Sequence, residues 1–74
     1  MIKKGTTMRA KILSSLESYF QAEIDKHVVN VEIMLANPLA IHEHTDYTGA
    51  IESEISKISE YQDKLEILEK YFRD

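Results

Sequence analysis

Two runs of apolar residues at helical spacing, separated by a single proline, constrain this chain more than any other feature of its sequence. The first run is Leu13, Leu16, Phe20, Ile24, Val28, Val31 and Leu35, whose steps of three or four residues follow one side of an α-helix. Thr6 or Thr7 offers an N-cap ahead of it. Asn37-Pro38 ends it, because proline disfavours helical geometry in the residue before it. The second run is Ile51, Ile55, Ile58, Tyr61, Leu65, Leu68 and Phe72, with Thr45 as its N-cap and Asp46 in its first turn. This spacing predicts a helix over about 8–36, a loop over 37–45 and a second helix over about 46–72, preceded by a flexible basic extension over 1–7.

The two runs can be paired outward from the loop. Leu35 meets Ile51, Val31 meets Ile55, Val28 meets Ile58, Ile24 meets Tyr61, Phe20 meets Leu65, Leu16 meets Leu68, and Leu13 meets Phe72. A constant register in opposite directions predicts an all-α fold, an antiparallel two-helix hairpin. A chain of 74 residues holds one domain at most, and without cysteine it has neither disulfides nor thiolate metal ligands to staple it. With two glycines and one proline it is too poor in turn residues for a many-stranded sheet. Its 43% hydrophobic content is too high for a disordered chain.

Apolar residues also lie off the two runs: Ile12, Tyr19, Val29, Ile33 and Met34 in the first helix, and Ala50, Ile67 and Tyr71 in the second. One helix–helix seam leaves these in water. A homodimer forming a four-helix bundle is therefore expected, with Ile12, Tyr19, Ile33, Ile67 and Tyr71 as the interaction surface. Acid-first pairs four residues apart, such as Glu60 with Lys64 and Glu66 with Lys70, mark the side that faces water.

Charge narrows the functional classes. Net charge is −4, yet Lys3, Lys4, Arg9 and Lys11 stand without an acid among the first eleven residues, so the rest of the chain is strongly acidic. An acidic body argues against nucleic acid as a partner, since phosphate contacts need a concentrated basic face. No apolar stretch approaches the ~20 residues that cross a bilayer, so no membrane is expected as a partner. No signal-peptide core follows the basic start, and a cytoplasmic location is expected.

Nucleophile–base arrangements, glycine-rich phosphate loops and paired catalytic carboxylates are absent from the sequence, so it reads as no enzyme and as needing no cofactor. His42, Glu43, His44 and Asp46 form one cluster of metal-ligand types. Its spacing matches no established metal site, and it reads as a polar loop and capping segment, with a metal-responsive regulator as the alternative. His27 lies beside the apolar run and reads as a partly buried, hydrogen-bonded histidine, with a register-fixing anchor or a pH sensor as alternatives. Tyr19 and Tyr61 are within reach of it or of each other.

Several segments resemble a known group. Met8-Arg9-Ala10-Lys11-Ile12-Leu13, Asn37-Pro38, Glu43-His44, Ala50-Ile51-Glu52, Ile58, Tyr61-Gln62-Asp63-Lys64-Leu65-Glu66 and Lys70-Tyr71-Phe72 are similar to small uncharacterised helical proteins of tailed myoviruses that infect marine cyanobacteria. The resemblance covers residues 8–72 and brings no catalytic residues with it. It implies a phage-encoded interaction protein acting in the host cell on a host or phage protein, or a minor structural or assembly component of a virus particle.

Overall fold

The computed structural model of the chain describes residues 7–36 and 46–73. Helix α1 spans Met8–Leu35 and helix α2 spans Tyr47–Phe72, and the two pack against each other as an antiparallel hairpin. Both helices lie within a residue of the expected 8–36 and 46–72, while the expected loop over 37–45 and residues 1–6 of the expected basic extension lie outside the described residues. Of the two N-cap candidates for α1, Thr7 carries the geometry: its hydroxyl accepts a hydrogen bond from the Ala10 amide at 3.0 Å, satisfying one of the helix's unpaired donors.

The start of α2 differs from expectation. Asp46 is itself the N-cap rather than a first-turn residue, and its side chain makes no capping hydrogen bond. Its carboxylate leans over Gly49, in the space a β-carbon there would occupy. Thr45, the expected cap, lies outside the described residues.

Both ends of the hairpin are tied across. Arg9 Nη2 donates to the Phe72 carbonyl at 2.8 Å, placing a cation on an otherwise unsatisfied group at the negative end of α2. At the opposite end the Tyr47 hydroxyl donates to the Met34 carbonyl in the last turn of α1.

The seam between the helices departs in part from the predicted pairing. On α1 it runs through Leu13, Glu17, Phe20, Ile24, His27, Val31 and Met34, and on α2 through Tyr47, Ile51, Glu54, Ile58, Tyr61, Leu65 and Leu68, all of them buried or half-buried. Both series alternate steps of three and four residues throughout. Val28, Leu35 and Ile55, expected inside, turn outward, with Leu35 62% and Ile55 51% exposed. Leu16 and Phe72 sit at the edge of the seam.

The reason is geometric. Each four-residue step advances 40° around the helix, so the steps from Leu16 through Phe20 and Ile24 to Val28 rotate the stripe by about 120°. Those two ends cannot face one partner. His27, Met34 and Glu54 take the places expected for Val28, Leu35 and Ile55.

Two helices side by side make a plate only 12 Å thick in its thinnest direction, about one helix diameter. Ile24 is the only apolar residue buried among those described. No described helix is long and apolar enough to cross a membrane.

The seam assignment makes Ile24 and Val28, both predicted to lie inside, behave differently. Ile24→Ala should cost about 2–4 kcal/mol, and Val28→Ala less than about 1 kcal/mol. Equal losses in thermal melts would return Val28 to the seam. Gly49→Ala should stabilise α2 by up to ~1 kcal/mol, because the Asp46 carboxylate that must swing aside holds no capping bond there.

Candidate functional site

Midway along the seam the heptad spacing delivers polar side chains to an apolar interface. His27 is 7% exposed, and its Nδ1 lies 2.6 Å from Glu54 Oε1 across the hairpin. A carboxylate oxygen can only accept, so Nδ1 carries the proton and donates. Asn30, one turn further along α1, donates from Nδ2 to the same oxygen at 2.9 Å.

On the other side of the ring, Glu23 Oε1 lies 3.7 Å from Nε2, and the same oxygen holds Lys26 Nζ at 3.1 Å. Tyr61 from α2 stacks on the imidazole with ring centroids 6.5 Å apart and planes 12° from parallel. The edge of the Tyr19 ring meets the Tyr61 ring at 6.0 Å. Among the described residues, no buried side-chain nitrogen or oxygen is left without a partner.

These contacts shift two acidities. The His27 hydrogen bond first, and the Asn30 hydrogen bond second, hold the Glu54 carboxyl below its ordinary value of 4.5. A hydrogen bond with Tyr19, aided by burial, pushes the Tyr61 phenol up to about 12. His27 is hydrogen-bonded as expected, but it is buried within the seam rather than partly buried beside it, and Tyr19 and Tyr61 do reach each other. Its partners Glu54 and Asn30 escaped the sequence reading, which followed apolar residues alone. A strict alternation of three and four would have landed on positions 27 and 54.

The predicted interaction residues are all exposed. Ile12 and Tyr19 are each 52% exposed, Ile33 60%, Ile67 43% and Tyr71 64%. Ile67 joins Leu16, Phe20, Leu68, Phe72 and the Lys64 stem around an open groove of about 230 Å³. Tyr71 packs beside Phe72 at 6.4 Å, with Lys70 Nζ 5.3 Å from its ring centre. Ile67 and Tyr71 therefore belong to the open end of the hairpin, Ile12 lies in the second turn of α1, and Tyr19 packs on Tyr61 beside the central cluster. Ile33 lies on the same side of α1 as Tyr19 but roughly 21 Å further along.

Arg73 closes the open end by reaching Glu17 at 2.9 Å and Glu69 at 3.4 Å. The metal-ligand candidates His42 and His44 lie outside the described residues. No protein family, curated protein or solved structure matches this chain.

The Glu54 contacts predict an acid dependence with a definite sign. A carboxyl whose folded pKa is depressed adds stability that is present above its unfolded value, near 4.5, and lost as pH falls through the folded one. Thermal melts between pH 6 and pH 3 should show a steeper acid loss for the parent than for Glu54→Gln, which keeps an acceptor oxygen but cannot ionise. Superimposable acid limbs would remove Glu54 from the seam's electrostatics.

Proposed function

We propose that this chain is a non-enzymatic helical interaction module that completes its fold by pairing with a second copy into a four-helix assembly. The observation that carries this reading is the single helical layer with one buried apolar side chain. Stable domains stack at least two layers around a core. A hairpin of 28-residue and 26-residue helices, with Ile24 the only buried apolar side chain among the described residues, has its core incomplete. The exposed Ile12, Tyr19 and Ile33 supply apolar area for a second copy to cover, and Ile67 and Tyr71 supply more for a further partner. The resemblance to cyanophage proteins supports reading it as a phage-encoded module acting in the host cell, with a host or phage protein as its further partner.

Linked folding and association tests this. The melting temperature should rise with protein concentration. Ile33→Glu should place an unpaired charge in the interface and give a monomer or an unfolded chain, while Glu66→Lys on the solvent side should do neither. Sedimentation equilibrium of the parent as an 8.6 kDa monomer, with a melt independent of concentration, would contradict self-association.

A further inference from the structure

We infer that the second copy packs along the outer side of α1, antiparallel and in one register, an inference that rests on the self-associating reading above. Besides its seam, α1 carries another strict alternation of four- and three-residue steps. It begins at Met8 and Ile12, passes through Tyr19 and Ala22, and ends at Val29 and Ile33, with Ser15 and Lys26 as its polar members. Every one of these positions is exposed in the single hairpin. Sustained alternation of this kind is the spacing that keeps two helices in contact over several turns. The stripe lies roughly 140° around α1 from the seam, so the two α1 helices form the centre of the dimer and α2 stays outside.

The order of residue types selects direction and register. A two-fold axis beside Phe20 and Gln21 sets Met8 against the partner's Ile33 and Ile12 against the partner's Val29, so that the outer layers are apolar on both sides. At the centre the large Tyr19 ring meets the partner's small Ala22, and the same fit repeats across the axis, as an isologous contact requires. Lys26, already held by Glu23 at 3.1 Å, comes opposite the partner's Ser15, whose hydroxyl can accept from it.

Flanking charges agree with that register. Lys11 falls beside the partner's Glu32, twice by symmetry, and among the described residues neither side chain has an ion pair within its own hairpin. A parallel pair would instead set Lys26 against the partner's Lys26 within the contact stripe, which like-charge repulsion disfavours. A single lysine in such a stripe characteristically fixes register at some cost in stability, and Lys26 fills that role.

Because the chain contains no cysteine, cross-linking reads the register directly. Under mild oxidation a mixture of the I12C and V29C variants should form a disulfide-linked heterodimer. Neither variant alone should cross-link, since two copies of residue 12 stand roughly 25 Å apart in this arrangement. Separately, K11E should raise the dimer dissociation constant about tenfold, by turning two attractive pairs into repulsive ones. The double variant K11E/E32K should restore it.

Sedimentation of the parent distinguishes the two levels of failure. A dimer that forms no 12-to-29 cross-link, or whose charge-reversed double variant stays weakened, overturns this register and leaves self-association standing. A monomeric parent overturns both.

Discussion

An imidazole and a carboxylate share the middle of the only seam between the two described helices. The His27–Glu54 hydrogen bond joins positions far apart in sequence, and with Asn30 and Glu23 around it the ring has polar partners on both sides. Sliding one helix past the other by a turn would strand these groups, so the cluster favours one register over its neighbours. Polar groups at that point also displace apolar ones, which limits how much hydrophobic surface the hairpin buries within itself. Apolar exposure on the outside and polarity in the seam are two sides of one arrangement.

The all-α hairpin, its antiparallel sense and both helices were legible in the sequence, because apolar periodicity and a single proline report on them directly. Which apolar residues face inward was only partly legible. Counting every apolar residue at a step of three or four admits Val28 and Ile55, whereas a helix pair keeps contact only along alternating steps, which select His27 and Glu54. Hydrophobicity therefore misplaced residues wherever the seam itself is polar. Ile12, Tyr19, Ile33, Ile67 and Tyr71 were singled out by the complementary rule, as apolar side chains left over, and each is exposed in the hairpin. The cross-ties Arg9–Phe72 and Tyr47–Met34 end on backbone carbonyls, and no residue pattern announces a carbonyl acceptor.

The two helices are unequal. Helix α1 bears apolar or small residues on two sides, one toward α2 and one toward solvent. The outer side of α2 is mostly charged, carrying Glu60, Lys57 and Lys64 before Ile67 and Tyr71 appear near its end. Helix α2 is accordingly suited to cover one flank of α1 and to present charge outward, while α1 is suited to be covered on both flanks. That asymmetry, more than total hydrophobicity, ranks the surfaces available to a partner.

A plate one helix thick also changes what shields its backbone. No described amide lies more than about one helix radius from an open face, so solvent isotope reaches the peptide hydrogens wherever a turn briefly loosens. In a multilayer protein the slowest-exchanging amides trace the buried core. Here slow exchange concentrated in α1 rather than α2 would mark coverage arriving from outside the hairpin, making peptide hydrogens a map of what the chain is bound to rather than of how it folds.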